Sequence, residues 1–238
     1  MTLPYLLAIA CVLMSLVVAI LRTFDKHRWG LAAKCTASVL FCLTAVAAFS
    51  QRGMPGNGAT TRIFIGLALG IVGDVFLGLA PLFDSKKKDL LCSGLGGAAF
   101  FTGHIFYIRA LLMDVPVHWP FLLLMPVVPL LFLILYKTKL FDPGWRFIPI
   151  FGYGIVLSTM MAAALNYAMH MAGGPLSGLP ISLLIWLPGI LFSFSDTSLF
   201  LRGFGSQKLG CFAAHLDFAV MLPYFSAQAI FALLTAYI

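Results

Sequence analysis

Charge is scarce in this chain, and one acidic residue type is absent. Only 10% of the 238 residues are charged, none is glutamate, and all eight acids are aspartates; typical soluble domains are about 25% charged. Hydrophobic residues make up 61% of the chain. This composition excludes a disordered or collagen-like chain and an ordinary water-soluble enzyme. It predicts a membrane protein with several spanning segments.

Several motifs of catalysis and metal binding are also missing. The sequence contains no GxSxG, Walker or HExxH motif and no CxxC pair. The five cysteines are scattered, mostly within apolar runs, as is typical of small core residues and not of a disulfide framework or a zinc site. Because the apolar runs contain only two suitable histidines, His104 and His215, a three-histidine zinc site is disfavoured. We expect no metal and no cofactor.

Hydropathy divides the chain into eight apolar runs, each near the ~20 residues that a spanning helix needs. The runs cover residues 3–21, 29–50, 62–80, 90–112, 119–136, 146–170, 178–201 and 211–237. Their short linkers predict one transmembrane domain over residues 1–238, an all-α polytopic bundle of eight transmembrane helices. The first run has no preceding basic residue and no small-residue cleavage pattern, which favours a spanning helix over a signal peptide.

Basic residues are concentrated in alternate linkers. The odd-numbered linkers contain 11 Lys and Arg residues, and the even-numbered linkers with their edges contain 3. Because cytoplasmic loops are enriched in Lys and Arg, both termini are predicted to be non-cytoplasmic, in a bacterial inner membrane or in the endoplasmic reticulum. In so apolar a chain, the net charge of +7 indicates loop orientation at a lipid bilayer and not nucleic-acid binding.

Two pairs of similar segments indicate a parallel 4+4 repeat. The segment GDVFL at 73–77 is similar to SDTSL at 195–199, and FTGH at 101–104 is similar to FAAH at 212–215. The members of each pair lie four predicted helices apart, and such segments have the same orientation in the membrane. The two halves of the bundle are therefore predicted to be related by this repeat.

Four charged residues lie inside apolar runs: Lys34, Asp74, Asp196 and Asp217. A charge at the bilayer centre costs roughly 2.5–3.5 kcal/mol, so such residues usually face the bundle interior and mark a functional site. At ~1.5 Å per residue, each lies ~8–9 Å from the cytoplasmic end of its predicted helix. The common depth predicts a shared polar cavity open toward the cytoplasmic leaflet. In it, the carboxylates of Asp74 and Asp196 are the candidates for acid–base catalysis.

Other polar residues are predicted to surround this cavity. Gly66, Gly70 and Gly78 recur at a four-residue spacing with Asp74, and small residues at this spacing let helices approach closely, so Asp74 is expected to point inward. We expect His104 to lie deeper, ~20 Å from the cytoplasmic end of its helix. The predicted substrate-binding or supporting residues are Lys34, His104, Tyr107, Tyr153, Ser193, Asp217, Tyr224 and Gln228.

Structural roles are the alternative for each of these residues. Asp74 or Asp196 could form a structural ion pair with Lys34, and Lys34 could instead extend to the cytoplasmic face. His104 could make an interhelical hydrogen bond, and Asp217 lies so near a helix end that a structural role is favoured. The three tyrosines and the glutamine could simply hold helices together.

An ordered set of short motifs completes the pattern: GD at 73–74, GHxxY at 103–107, SD at 195–196 and YxxAQ at 224–228, with Lys34 before them. On these residues the chain resembles the lysoplasmalogenase family, the YhhN-like membrane proteins. Each motif alone is weak, but the four occur in the family's order from the second predicted helix to the eighth.

The resemblance implies an eight-helix enzyme that acts on a lysophospholipid substrate. It would hydrolyse the vinyl ether bond of lysoplasmalogens with ethanolamine or choline headgroups to a fatty aldehyde and a glycerophospho-alcohol. A pair of carboxyl groups suits this reaction, because one can deliver a proton while the other stabilises an oxocarbenium-like cation. A proton-coupled transporter or a lipid flippase without bond cleavage is the alternative, and hydrolysis of an amide or ester is the third reading. The oligomeric state does not follow from the sequence.

Overall fold

The computed structural model describes residues 2–52, 56–171, 173, 179–205 and 216–237. This part of the chain contains nine α-helices and no β-strand. They are α1 (Leu3–Thr23), α2 (His27–Ser50), α3 (Gly58–Leu79), α4 (Lys86–Leu111), α5 (Pro120–Leu124), α6 (Val127–Lys137), α7 (Phe147–Met171), α8 (Leu179–Phe204) and α9 (Leu216–Leu234). Short 3-10 turns at Ala80–Leu82 and Gly144–Arg146 lie before α4 and α7.

Helices of membrane-spanning length dominate the described residues. Six helical segments are long and apolar enough to cross a bilayer: Leu3–Thr23, His27–Ser50, Gly58–Leu82, Lys86–Leu111, Gly144–Met171 and Leu216–Leu234. The prediction of an all-helical, multi-pass integral membrane protein is therefore confirmed. The eight crossings, the single domain over residues 1–238 and the sidedness of the termini stay predictions.

The chain packs as two compact units. Unit 1 contains Met1–Ala110 and Phe225–Ile238, and unit 2 contains Leu111–Tyr224. Helices α1 to α4 and the second half of α9 thus belong almost entirely to unit 1. Unit 2 holds α5 to α8 and the first half of α9.

The helices of the first half agree closely with the hydropathy runs. Helices α1 to α4 begin at most four residues before the predicted starts. The run predicted as one helix over 119–136 corresponds to a shorter apolar helical segment, Phe121–Lys137, in which a turn at Pro126 separates α5 from α6. Proline lacks a backbone N–H, and its ring clashes with the preceding helical turn. At the new start, the amide N–H of Val128 donates to Ser158 Oγ on α7 at 2.8 Å.

Helices α3 and α4 approach each other closely in unit 1. A Cβ atom added to Gly66 would lie 2.7–2.8 Å from ring atoms of Tyr107, which is too close for two carbon atoms. Directly beside it, a Cβ on Gly103 would meet the Gly66 carbonyl oxygen at 3.3 Å. Gly66 of the small-residue stripe therefore lets α4 approach α3, whereas Gly78 of the same stripe faces Leu31 of α2.

Unit 2 is built around α7. Trp186 on α8 donates from Nε1 to the carbonyl oxygen of Met161 on α7 at 3.0 Å. Asn166, also on α7, accepts from the N–H of His118 at 2.7 Å and donates to the carbonyl oxygen of Pro116 at 3.0 Å. These contacts fix α8 and the segment before α5 on the same central helix.

Candidate functional site

Lys34 and Asp74 form a buried ion pair within unit 1. Lys34 lies seven residues into α2, and its Nζ atom is 3.0 Å from Oδ1 of Asp74, which lies five residues before the end of α3. Lys34 is 3% exposed and Asp74 is 0% exposed. The alternative in which Lys34 extends to the membrane surface is therefore wrong. The ion-pair alternative describes the observed contact of Asp74.

Ser38 is a further partner of Asp74. It lies one turn after Lys34 on α2, and its Oγ atom is 2.6 Å from Asp74 Oδ2 and 2.9 Å from the carbonyl oxygen of Lys34. A hydroxyl group has one hydrogen, so it donates to one of these oxygens at a time. It can donate to an ionised Asp74, or accept from a protonated Asp74 and donate to the carbonyl oxygen. Ser38 thus accommodates a change of charge on Asp74.

Asp196 lies in unit 2 and has a neutral partner. The hydroxyl of Tyr153 on α7 donates to Oδ2 of Asp196 on α8 at 2.6 Å, and both side chains are buried. The Tyr153 ring packs edge-on against Phe200, one turn beyond Asp196, with ring centroids 5.3 Å apart. The sequence had grouped Tyr153 with the supporting residues, and the structure makes it a direct partner of the carboxyl group.

The two serines beside Asp196 donate hydrogen bonds to backbone carbonyl oxygens. Ser193 donates to the carbonyl oxygen of Gly189 at 2.9 Å within α8. Ser195, which the sequence analysis did not select, donates to the carbonyl oxygen of Val220 on α9 at 2.9 Å. The second bond fixes the helix that carries Asp196 against the first half of α9.

Asp217 forms an ion pair near the end of α8. Its Oδ1 atom is 2.9 Å from Nη1 of Arg202, with Asp217 buried and Arg202 partly exposed. Because Asp217 lies in the first turn of α9, the pair joins one helix terminus to another. This contact matches the structural role that was the alternative for Asp217.

A hydrogen bond joins α4 to the second half of α9 in unit 1. The Tyr107 hydroxyl donates to Oε1 of Gln228 at 2.7 Å, and the Tyr107 ring stacks on Phe231 with centroids 4.3 Å apart. His104, one turn earlier, is 2% exposed, with its ring centroid 6.4 Å from that of Tyr107. It also forms a hydrogen bond with the backbone of Phe100. These contacts support the helix-joining alternative for Tyr107 and Gln228.

Tyr224 is the remaining predicted residue, and it lies in unit 2. It is 5% exposed, and its ring meets Phe192 of α8 edge-on at 5.7 Å between centroids. Its ring therefore packs against α8.

Asp74 and Asp196 are placed in the same way with respect to their neighbouring helices. Each contacts the helix that precedes its own in the chain: Asp74 contacts α2 and Asp196 contacts α7. The segment 212–215 of the proposed repeat, and with it His215, lies outside the described residues. The parallel 4+4 repeat therefore stays a prediction.

The described contacts of the two carboxyl groups differ in charge. Asp74 faces an ammonium group, which stabilises an ionised carboxylate. Asp196 faces a phenol, which can donate to one carboxyl oxygen while the other oxygen carries a proton. Within the described ranges there is no group of three or more His, Cys, Asp and Glu side chains that could hold a metal ion.

Two of the contacts were missed by the sequence analysis although the sequence contained a signal for one. Ser38 lies four residues after Lys34, so the helical period alone places it on the same face of α2. Ser195 is adjacent to Asp196, and its partner is a backbone oxygen of another helix, for which no sequence pattern exists.

One comparison with known proteins identifies a family. The model of the YhhN family matches residues 29–235, which include every candidate residue named above. Neither a search of curated proteins nor a search of solved structures found a match.

Proposed function

Since the chain belongs to the YhhN family, we propose that it hydrolyses the vinyl ether bond of lysoplasmalogens to a fatty aldehyde and a glycerophospho-alcohol. The observation that carries the proposal is the pair of buried aspartates in the GD and SD motifs. Asp74 is 0% exposed and Asp196 is 6% exposed, and each is held by a polar side chain of the preceding helix. Buried ionisable groups in spanning helices are costly and usually functional.

The reaction requires a proton at carbon and then a water molecule. An acid donates a proton to the β-carbon of the vinyl ether, and the double-bond electrons form the new C–H bond. The α-carbon and its ether oxygen then share the positive charge of an oxocarbenium ion. Water adds to the α-carbon and loses a proton, which gives a hemiacetal. Collapse of the hemiacetal breaks the bond between the α-carbon and the ether oxygen, so that one water is consumed and an aldehyde and an alcohol are released.

We assign the proton donor to Asp196. Tyr153 donates to Oδ2 of this carboxyl group, so a protonated Asp196 can hold its proton on Oδ1 and keep the contact. A carboxyl group kept neutral in an apolar site can act as a general acid. Tyr153 then fixes the orientation of the acid.

We assign the stabilising carboxylate to Asp74. The Lys34 ammonium 3.0 Å from Oδ1 compensates its negative charge, and Ser38 contacts the other oxygen. A fixed carboxylate stabilises a developing cation without reorganisation. It can also take the proton from the attacking water, because Ser38 can change from donor to acceptor as Asp74 becomes protonated. That both aspartates act in one reaction rests on their common predicted depth and on the motif set.

Aldehyde release from a defined lipid tests this function. Purified protein in detergent is incubated with 1-alkenyl-glycerophosphoethanolamine, and the fatty aldehyde is quantified by mass spectrometry. The saturated 1-alkyl analogue is the matched control, because it lacks the double bond that accepts the proton. Aldehyde from the first lipid alone supports the proposal. Absence of aldehyde, together with lipid movement in vesicles that depends on a proton gradient, would instead support the transporter.

A further inference from the structure

A cavity of about 610 Å³ lies in unit 2, beyond the end of α6. Its described lining residues carry two ammonium groups, one carboxylate and two aromatic rings, and of these only Phe141 is buried, so the cavity is open to the outside. They are Tyr136, Lys137, Lys139, Phe141 and Asp142. The acid–base chemistry proposed above uses none of them, although they combine both charge signs in one cavity at the end of an apolar helix.

The carboxylate side of this cavity is fixed to the end of α8. The N–H of Asp142 donates to the carbonyl oxygen of Phe204 at 3.0 Å, and Phe141 forms an antiparallel bridge with Gly205. The Asp142 side chain accepts from the N–H of Gly144 through Oδ1 at 3.2 Å. The linker between α6 and α7 is therefore held at a defined place, with Phe141 buried and Asp142 exposed.

Lys139 occupies a backbone position that favours glycine. Its φ is +57°, and it follows the last residues of α6 as the left-handed residue of a Schellman motif. The N–H of Lys139 donates to the carbonyl oxygen of Tyr136 at 3.1 Å, and that of Leu140 donates to Leu135 at 3.0 Å. Glycine or asparagine is usual here, and a lysine pays a steric penalty. The helix cap alone does not explain the choice of a lysine.

Ring contacts connect the cavity to Asp196. Phe141 stacks on Phe132 with centroids 5.7 Å apart, and Phe132 meets Phe200 edge-on at 5.7 Å. Phe200 then meets Tyr153, the partner of Asp196, at 5.3 Å. Phe141 and Phe132 are fully buried, whereas Phe200 is partly exposed. The rings thus form a packed series that links the lining of the cavity to the partner of Asp196.

We propose that this cavity binds the zwitterionic phosphoethanolamine-type headgroup of the lysophospholipid substrate, with Lys137 and Lys139 on the phosphate and Asp142 on the ammonium group. The inference rests on the proposed function, and it adds the part of the substrate that the two aspartates do not touch. Lysine is a common phosphate-binding side chain, and the aromatic ring of Tyr136 is a suitable neighbour for an organic cation.

The dimensions of the substrate agree with this placement. Asp196 lies eight residues before Phe204, the α8 residue that contacts Asp142, which is ~12 Å along the helix. Seven covalent bonds separate the phosphorus from the β-carbon of the vinyl ether, which is roughly 9 Å when the chain is extended. A phosphate held by flexible lysine side chains at the cavity would thus bring the vinyl ether to the depth of Asp196.

Binding of an uncleavable lipid tests the inference without relying on catalysis. The probe is 1-O-hexadecyl-glycerophosphoethanolamine, which lacks the vinyl double bond. Its binding to purified protein is compared with that of 1-O-hexadecyl-glycerol 3-phosphate, which lacks the ammonium group, and 1-O-hexadecylglycerol, which lacks both charges. We expect the order of affinity to be ethanolamine lipid, then phosphate lipid, then glycerol lipid.

Three variants each remove one charge of the cavity and so test its contribution to lipid binding. Lys137→Gln and Lys139→Asn should each weaken binding of both phosphate lipids about fivefold, the effect of one lysine near a lipid phosphate, and leave the glycerol lipid unchanged. Asn tolerates the left-handed conformation, so Lys139→Asn should not lower the thermal unfolding midpoint. Asp142→Asn should weaken the ethanolamine lipid but strengthen the phosphate lipid, because it removes a negative charge. Lys26→Gln, in the exposed linker after α1, is the matched control.

The outcomes distinguish the two proposals. Lysine variants that bind all three lipids as Lys26→Gln does would overturn the headgroup site, whatever the aldehyde assay shows. Displacement of the probe by an equal concentration of inorganic phosphate would also overturn it, because the cavity would then be a site for free phosphate. If the lipids bind in the expected order but vinyl ether lipid yields no aldehyde, the headgroup site stands and the lysoplasmalogenase proposal fails.

Discussion

The Nζ atom of Lys34 lies 3.0 Å from Oδ1 of Asp74, and both side chains are buried between α2 and α3. Removing one partner of such a pair leaves an uncompensated charge in an apolar environment, which typically costs about 3–5 kcal/mol. Asp196 has no such dependence on Tyr153, because a phenol is neutral. The two aspartates should therefore respond differently to the same substitution.

Asp196→Asn should abolish most turnover and leave stability nearly unchanged. The Asn side-chain oxygen can still accept from Tyr153, but the amide cannot donate the proton that the reaction needs. General acid–base groups typically contribute 10²–10⁴-fold, so we expect a loss of at least about 10²-fold. Aldehyde release per folded molecule and the thermal unfolding midpoint measure the two effects. Near-normal turnover would show that Asp196 is structural.

Asp74→Asn and Lys34→Met should each lower both stability and turnover. Each leaves one charge of the pair buried alone, with an expected loss of about 3–5 kcal/mol in unfolding free energy. The double variant Lys34→Met/Asp74→Asn removes both charges, so it should recover much of the stability and none of the turnover. Unfolding midpoints and aldehyde release are measured for all three variants. A double variant no more stable than either single one would argue against the ion pair.

Tyr153→Phe should reduce turnover less than loss of Asp196 does. The substitution removes one hydrogen bond to a buried carboxyl group, an effect of about 1–3 kcal/mol, which is roughly 5- to 150-fold in rate. Tyr5→Phe is the control, because its hydroxyl contacts Tyr237 at the exposed end of α1. The comparison is made by steady-state aldehyde release. Equal turnover of both variants would show that Tyr153 does not orient the acid.

Gly66→Ala should destabilise unit 1. The new Cβ would overlap the Tyr107 ring, which must move away from Gln228 and Phe231. Overpacking of this kind typically costs about 1–3 kcal/mol. Gly94→Ala on α4 is the matched control, since nothing lies within 4 Å of its added Cβ. Unfolding of the two purified variants in the same detergent would give equal midpoints if the close approach of α3 and α4 were unimportant.

The topology can be tested with reporter fusions. The Tyr5 hydroxyl lies 3.2 Å from that of Tyr237, so the start of α1 and the end of α9 lie at the same end of unit 1. Three successive spans separate the chain start from Lys86–Lys88. Reporters at the C-terminus and in the Lys86–Lys88 segment should therefore lie on opposite sides of the membrane. The same side for both would disprove the eight-helix topology.

The sequence predicted the elements better than it predicted their partners. Apolar runs located α1 to α4 because length and hydropathy are the only requirements for a spanning helix. They did not separate α5 from α6 at Pro126, because the composition is apolar on both sides of the proline. The break was nevertheless recoverable from the proline itself.

In the candidate site, too, the sequence identified the residues but not their contacts. The cost of charge in the membrane made Asp74, Asp196 and Lys34 visible in the sequence. Nothing in one helix indicates that Lys34 would meet Asp74 while Tyr153 would meet Asp196, because helical periodicity defines a face and not its partner. The charged contact of Asp74 and the neutral contact of Asp196 therefore emerged only from the structure.

Unit 1 is built from both ends of the chain, and this has a consequence for biosynthesis. Its residues come from the first 110 positions of the chain and from Phe225 onward. The helices that carry Lys34 and Asp74 are thus synthesised early, but Tyr107 meets Gln228 only after almost the whole chain has left the ribosome. During that interval the interior surface of α4 must be covered by lipid or by an insertion factor. A nascent chain truncated before residue 225 should be recognised by quality-control proteases, although it already contains the ion pair of the candidate site.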